Sequence, residues 1–401
     1  MTLISLSAAD LILAATALPV AAASGYLAVL AFAARRRAVP EGVRTLRFDI
    51  IVPAHNEEAG IAATVTNLLA LDYPRELYRV VVVADNCTDR TSAVARDAGA
   101  NVLERFDLTK RGKGFALALA FESSLADGQA SAVVVVDADS VVSPNFLSAF
   151  AARFSAGAEC VQGEYGVRNA EESWRTRLMA IAFALYHTLR SLGRERLGFS
   201  CGLRGNGMGF ATDVLRRVPY RAFSVVEDVE FGILLGLAGV RVAYVPEAVV
   251  RGEMPATARA SRTQRERWEG GRAALIRAHG ATLLRAGFGE RGRLALDLLA
   301  DLLVPPLTTL VAITALGAAA AFWLLWLGRV GFWGVAGWIF ALTCIATYVA
   351  RGCALSGVGA RAAIDLLWTP VYAVWKLPLL FRAGQRSEWI RTERTNEDRT
   401  S

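Results

Sequence analysis

The sequence predicts an α/β domain built on a parallel sheet and held between membrane-spanning helices. Three observations predict it. Short runs of β-branched residues alternate with helical periodicity from about Phe48 to Ala300. Long apolar runs lie near both ends of the chain. The 401 residues are 54% hydrophobic and only 20% charged, whereas soluble domains carry about 25% charged residues. This composition excludes a disordered chain, a collagen-like fibre and a charged coiled coil. The net charge of +7 gathers as arginines beside apolar stretches, which suits an anionic membrane surface or a phosphate ligand and not a nucleic acid. The five cysteines include no CxxC pair, so free thiols are expected and no disulfide framework.

The first element is apolar from Ala8 to Ala34, with Asp10 its only charge, long enough to cross a hydrocarbon core of about 30 Å. Arg35-Arg36-Arg37 follow at once. Charge after the span, rather than before it, predicts an uncleaved anchor with the following chain in the cytoplasm. Two further spans, Leu302 to Leu327 and Val330 to Ala350, are separated by little more than Arg329 and predict a tight hairpin, kinked at Pro305-Pro306. Ile364 to Phe381 is apolar but interrupted by Asp365 and Lys376, and it carries Trp368, Tyr372 and Trp375. It reads as a helix lying in the cytoplasmic interface, with a fourth span as the alternative. The expected organisation is an anchor over 1–34, a cytoplasmic domain over 35–300, a hairpin with an interfacial helix over 301–382, and a charged cytoplasmic tail over 383–401.

In the middle, Asp49–Val52, Val80–Ala84 and Ala132–Val136 are continuous apolar runs, as expected of strands covered on both faces. After the first comes PAHNEEAGI, in which Asn56 is expected to cap a helix that places Ile61, Val65, Leu68 and Leu69 on one face. Strand, helix, strand implies a parallel crossover, and such sheets bind ligands at the carboxyl ends of their strands. Polar clusters stand at those ends: His55-Asn56-Glu57, Asp85-Asn86 and Asp137-Ala138-Asp139. Trp174 to Leu197 repeats Leu178, Ile181, Leu185, Leu189 and Leu192 at helical spacing, with Arg175, Arg177, Arg190, Arg194 and Arg196 near its ends. It reads as an interfacial helix held by arginine heads near lipid, or as a core helix packed on the sheet.

Asp137 and Asp139, two residues apart on a turn after a buried strand, are able to share one hard cation such as Mg²⁺ or Mn²⁺ together with substrate phosphates. An isolated DxD is otherwise a solvated turn. Asp85 is placed to accept hydrogen bonds from a base or ribose, and Asp89 to cap the helix that follows. Lys113, in the basic turn Arg111-Gly112-Lys113-Gly114 at a helix start, is a candidate for neutralising a phosphate or an ordinary exposed lysine. Glu227-Asp228 opens a helix over Val229 to Leu237. One carboxylate could take a proton from an attacking hydroxyl while the other fixes geometry. The glycine-rich stretch Arg204-Gly205-Asn206-Gly207-Met208-Gly209 lets backbone approach a sugar closely and is not a P-loop. In QRERW, Gln264, Arg267 and Trp268 share a helical face flanked by Arg265. Arginine there could clamp a diphosphate and tryptophan could stack on a sugar. The alternative is an amphipathic interfacial helix with an anchoring tryptophan.

Taken in order, VPAHNEE, ADNCTD, DADS, VED and QRERW resemble a membrane-bound family 2 glycosyltransferase, the group of cellulose, hyaluronan and poly-N-acetylglucosamine synthases and ceramide-glucosyltransferase-like enzymes. The resemblance covers about Ile50 to Trp268 and the flanking spans. It implies a GT-A (Rossmann-like) cytoplasmic domain flanked by transmembrane helices, in the cell membrane. It implies inverting transfer from a nucleotide diphosphosugar, a UDP-sugar by expectation, with Mg²⁺ or Mn²⁺. By resemblance, Pro53, Glu57, Asp85, Lys113, Asp137 and Asp139 bind the donor, and Asp139 holds the metal. Asp228 is the general base beside Glu227. Gln264, Arg265, Arg267, Trp268, Gly205 and Asn206 bind diphosphate and acceptor. Two departures bear on the acceptor: the triplet is Val226-Glu227-Asp228 rather than TED, and the loop is RGNGMGF rather than a cysteine-containing FFCGS-like one. A growing β-linked polysaccharide is the expected acceptor, with a membrane lipid glycosylated once as the alternative. Intact Asp85, Asp139, Asp228 and Arg267 argue against a non-catalytic membrane scaffold.

Overall fold

The computed structural model describes residues 7–36, 42, 44–254, 258–290, 292–358 and 361–366, with 258–266 and 362–363 described by backbone alone. The chain enters through α1 (Ala8–Ala33) and then builds its sheet. Strand β1 (Phe48–Ala54) leads through α2 (Ile61–Leu69) to β2 (Tyr78–Asp85), α3 (Thr91–Asp97) and β3 (Asn101–Arg105). Helix α4 (Lys113–Asp127) returns to β4 (Ala132–Val135). The second half adds β5 (Val141–Val142), α5 (Phe146–Ser155), β6 (Cys160–Val167), β7 (Met208–Ala211) and β8 (Val242–Gly252). The strand order is β3-β2-β1-β4-β7-β6-β8-β5. Strands β1 to β4 run parallel, while β7 runs antiparallel to both β4 and β6.

The three apolar runs are strands covered on both faces. Ile51, Val81, Val83, Val133 and Val135 face Leu117 and Phe121 of α4. Ile50, Val52, Val80, Val82 and Val134 face Val65 and Leu68 of α2 and Phe146 and Phe150 of α5. Asp49, within the first run, is buried, and the Arg79 guanidinium donates to both its carboxylate oxygens at 2.6 and 2.8 Å. Such a bidentate pair offsets the cost of burying the charge.

One expected cap is corrected. Asn56 does not cap α2, which starts five residues later, behind its N-cap Gly60. Asn56 instead adopts a positive φ of 56°, and its side chain accepts from the Thr88 amide at 2.8 Å. Asp89, expected to cap α3, stands one residue before its N-cap Arg90, and its carboxylate accepts from the Thr91 amide at 3.0 Å and from the Glu58 amide at 3.1 Å.

Helix α6 (Trp174–Phe183) runs through a six-residue π-helical segment, Ala184–Leu189, into α7 (Arg190–Arg196). Then come α8 (Thr212–Arg217), α9 (Glu227–Leu237), α10 (Ala258–Ala286), α11 (Gly292–Leu303), α12 (Leu307–Trp326), α13 (Phe332–Leu355) and α14 (Arg361–Leu366). Helices α1, α12 and α13 are long and apolar enough to cross a membrane. Pro305-Pro306 do not kink a span; they separate α11 from α12, so that span begins at Leu307, because proline cannot donate within a continuing helix. The expected domain boundary at 300 falls inside α11. Asp10 is buried and accepts from the Gly331 and Gly334 amides at 2.8 and 3.1 Å, closing the N-terminus of α13 where orphan amides favour an anion.

The helix from Trp174 packs its apolar stripe inside the protein. Its stripe Ile181, Leu185, Leu189 and Leu192 joins one core with Leu27 and Ala31 of α1 and Ile345 and Tyr348 of α13. A Cβ at Gly193 would lie 2.4 Å from the Leu30 carbonyl oxygen, so the two backbones touch. Arg190 and Arg194 are buried. Arg194 Nε donates to Asp297 at 3.0 Å, and its guanidinium lies 2.8 Å from Asp301. Arg190 lies 3.3 Å from Asp301 and donates to the Tyr348 hydroxyl at 3.1 Å. The four surrounding arginines hold the Asp301 carboxyl well below the usual carboxylate range against the opposing effect of burial. Most of Ile364 to Phe381, and the tail, lie outside the described residues; of that segment, Asp365 is buried against Arg177 at 3.0 Å.

Candidate active site

The site is built at the carboxyl ends of β1, β2 and β4, where the sequence places its polar clusters. Beyond the pair Ile51–Val135, β1 pairs with β2 alone. The sheet opens there, and Pro53 stands beside the opening. The first two loops are tied together. His55 Nδ1 lies 2.7 Å from the Asp85 carbonyl oxygen, and the Glu57 amide donates to Thr91 Oγ1 at 2.7 Å. Asp85 is buried, and Arg105 donates to its Oδ1 at 2.6 Å. Burial pushes the Asp85 carboxyl up, and Arg105 opposes that. Arg105 ends the neighbouring strand β3, and the sequence reading missed it. Its signal was its position, a basic residue at the same sheet edge as three acidic clusters.

The DxD turn is braced from behind. The Asp137 amide donates to Asn206 Oδ1 at 3.1 Å, and Asn206 Nδ2 donates to Ser140 Oγ at 2.7 Å. Asn206 is fully buried, and Gln162 Nε2 donates to its carbonyl at 2.7 Å. Gln162 also accepts from the Arg204 amide at 2.9 Å. This buried amide is a second residue the sequence reading missed; its signal was a polar side chain inside a buried strand. Gly205 and Gly207 take φ of 79° and 67°, a region that costs other residues about 1–2 kcal/mol.

Lys113, the first residue of α4, sits between the two halves of the site. Its Nζ donates to Asp137 and to the Gly205 carbonyl, each at 2.5 Å, and lies 4.0 Å from Glu227. Glu227 and Asp228 begin α9, whose first-turn amides favour anions. A Cβ at Gly205 would lie 3.3 Å from Asp228 Oδ2, so the glycine loop passes directly over that carboxylate. Burial pushes the Glu227 carboxyl up to about 7, with Lys113 and Arg267 pulling it down and Asp228 adding to the rise. Burial also raises Asp228, against the pull of Lys113. Burial raises Asp137 too, with Lys113 opposing and the Asp139 charge adding.

Helix α10 crosses close by. A Cβ at Gly271 would meet the Val226 side chain at 2.7 Å, so the helix presses on the residue before Glu227. Arg267 is near enough to act on Glu227, and its buried Nε has no hydrogen-bond partner among the described residues. Trp268 is 37% exposed. The Gln264 and Arg265 side chains lie outside the described residues; the helix backbone puts Gln264 one turn before Arg267 and Trp268.

A mixed sheet with a DxD turn at one edge and a carboxylate pair at a helix start defines the GT-A class of fold. A family model described as "Glycosyltransferase like family 2" matches residues 47–271, more than half of the chain. The chain belongs to this family. It is 31% identical over 229 residues to a beta-monoglucosyldiacylglycerol synthase of Synechocystis sp. (strain ATCC 27184 / PCC 6803 / Kazusa), covering 55% of this chain and 47% of that protein. It is 28% identical over 233 residues to an N-acetylglucosaminyltransferase of Rhizobium meliloti (strain 1021), covering 55% and 54%. The chain thus spans about half the length of the curated relatives it matches. Among solved structures, the mannosyltransferase PcManGT from Pyrobaculum calidifontis, in complex with GDP-Man and Mn²⁺, aligns over 92% of this chain and 98% of that one with a TM-score of 0.55 and 18% identity. That is a likeness of fold.

Proposed function

We propose that the protein is an inverting glycosyltransferase of the cytoplasmic membrane face, moving a hexose from a nucleotide diphosphosugar to a hydroxyl of a membrane-borne acceptor. The observation that carries it is Lys113 and the glycine loop joining the DxD turn to Asp228. The donor's leaving end and the acceptor's proton then meet within one connected constellation. Asp228 takes the acceptor proton as its oxygen attacks the anomeric carbon and the bond to the diphosphate breaks. Lys113 and Arg267 stabilise the charge on the leaving diphosphate, an electrostatic contribution worth several kcal/mol at such sites. Glu227 holds Lys113 in place. A single displacement converts an α-linked donor to a β-linked product and needs no covalent intermediate. Asp85 is the contact for the base, with Pro53 and Glu57 at the same opening. Gln264, Arg265, Trp268 and Gly205 are assigned to the diphosphate and acceptor; Asn206, expected among them, is fully buried and acts by bracing Asp137 from behind.

Mg²⁺ or Mn²⁺ fits this donor set. Asp137 and Asp139 offer only oxygen ligands, and the mutual repulsion of their charges is relieved by a cation. Two carboxylates fall short of a closed cage, which suits a cation that shares substrate phosphates; among the described residues no group of three His, Cys, Asp or Glu is gathered for a metal. When bound, the cation would neutralise charge on the diphosphate.

Arg36, in the basic run after α1, lies 3.7 Å from Glu164 of the catalytic sheet. This supports a catalytic domain on the positive, cytoplasmic side of the anchor. Direct packing of the described spans, with Gly317 against the Trp338 ring and Gly337 against Ala17, favours a lipid glycosylated once over a polysaccharide threaded between them. The test supplies membranes containing the protein with a panel of labelled nucleotide sugars and Mn²⁺ or Mg²⁺. Label in the organic phase supports the lipid acceptor, and label in a retained polymer supports the polysaccharide. Full transfer in excess chelator contradicts the metal requirement, and no transfer from any donor contradicts the whole reading.

A further inference from the structure

The first turn of α4 touches each part of the site with a different residue. Lys113 holds Asp137 and the Gly205 carbonyl. Gly114 leaves room for the loop over 219–226 that leads into Glu227, since a Cβ there would lie 2.4 Å from the Ala222 carbonyl oxygen. Phe115 stacks on Phe223 of that loop, with ring centroids 4.5 Å apart and 14° between planes. The Phe115 ring also lies 5.5 Å from the Arg105 guanidinium, the same group that donates to Asp85 at 2.6 Å. A line of contacts therefore runs from Asp85 through Arg105 and Phe115 to Phe223, four residues before Glu227.

The stack is not what buries the loop. Tyr220 packs on Phe121 and Phe231 with centroids 5.2 and 4.7 Å away, and Ala222 is fully buried. The Ser224 amide is held by Glu230 at 2.9 Å. Phe223 itself is 45% exposed, so its contribution lies in the contact with Phe115 more than in area removed from water.

We infer that Phe115 and Phe223 are positioning residues through which the nucleobase end of the donor sets the placement of Glu227 and Asp228. A base docked on Asp85 steadies Arg105, Arg105 steadies Phe115 through its ring face, and Phe115 steadies the loop that carries the carboxylates. The choice of base then governs turnover as well as affinity. The inference rests on reading the site as that of a nucleotide-sugar transferase with Asp85 at the base.

The experiment uses the full-length protein in detergent and the hexose identified by the donor panel, presented on uridine diphosphate and on guanosine diphosphate. Wild type is expected to show a lower kcat, and not only a higher KM, with the disfavoured base. In Phe223→Ala, kcat with the favoured donor falls about tenfold, the scale of one lost aromatic pair together with a weakened cation–π contact. Its KM and the binding of free UDP or GDP stay within about twofold, and the kcat gap between donors closes. Phe223→Tyr keeps the stack and restores both kcat and the gap. Should Phe223→Ala fail to fold, Phe223→Leu keeps apolar bulk without the stacking plane and is expected to lose the gap alike. Unchanged kcat in these variants, a gap that persists in them, no rescue by tyrosine, or a wild type that discriminates bases through KM alone overturns the inference while leaving the transferase reading intact. A wild type inactive with every donor overturns the transferase reading and this inference with it.

Discussion

Replacing Lys113 with methionine should move the pH dependence of transfer upward. The lysine Nζ lies 4.0 Å from Glu227, and the two side chains are only 20% and 12% exposed. Two unit charges at that distance interact by about 4 kcal/mol at an effective dielectric near 20, equivalent to about 3 pKa units. Part of the lysine charge is spent on Asp137 at 2.5 Å, so an upward move of ~1–2 units is expected for the carboxylates of α9. The sign follows from their present state. Burial has already pushed the Glu227 carboxyl up to about 7 and has raised Asp228, and Lys113 holds both down. A base must be ionised to accept the acceptor's proton, so kcat/KM rises with pH, on a limb that lies above the usual carboxylate range because burial raises Asp228. Without Lys113 both carboxylates stay protonated to higher pH. Transfer at a fixed pH on the rising limb then falls ~10–100-fold, and much of it returns as the pH is raised. The assay is kcat/KM against pH at saturating cation, with Lys113→Arg as the charge-preserving control. A Lys113→Met limb that stays within about 0.3 units of wild type would falsify the electrostatic role given to this lysine.

Other consequences are open to direct measurement. Asp228→Asn keeps the shape and removes the proton acceptor, so turnover should drop at least ~100-fold with nucleotide binding retained; near-normal turnover would move the base elsewhere. Arg194→Met leaves the buried Asp297 carboxylate without its ion-pair partner and takes from Asp301 one of its arginines, Arg190 remaining, and should cost about 3–5 kcal/mol, read as a lowered unfolding temperature in detergent, whereas a neutral effect would mean that solvent reaches the Asp297 carboxylate. Single cysteine probes at Arg44 and Arg329, in a background lacking the native cysteines, should label from opposite sides of sealed vesicles, and labelling of both from one side would refute the three-span topology.

Much of the fold was legible because it depends on the period of contiguous residues. The runs at Asp49, Val80 and Ala132 are strands because both faces of a central parallel strand are covered, and a continuous β-branched run has few other uses. The DxD turn, the acidic start of α9 and the three long apolar helices were legible for the same reason. Asn56 was misread because a good capping residue is equally at home in a left-handed turn, and its choice was settled by Thr88 on the neighbouring loop. The helix at Trp174 stayed between two readings because an apolar stripe with arginines at its ends looks alike against lipid and against another helix. The residues that decide it, Asp297 and Asp301, lie more than 100 positions away.

By itself, then, the sequence determined the strand and span segments, the carboxylates at the strand ends and the spacing of QRERW, since each is written within one element. Only the tertiary structure decided that Arg105 meets Asp85, that Gly205 passes over Asp228, that Lys113 bridges the two acidic pairs, and that Asp10 closes the end of α13. Those contacts join residues from different elements, and which of them meet depends on the strand order β3-β2-β1-β4-β7 and on the packing of α1 against α13. Apolar periodicity says that a face will be covered, and the partner that covers it is chosen by the global arrangement with the fewest buried charges left unpaired.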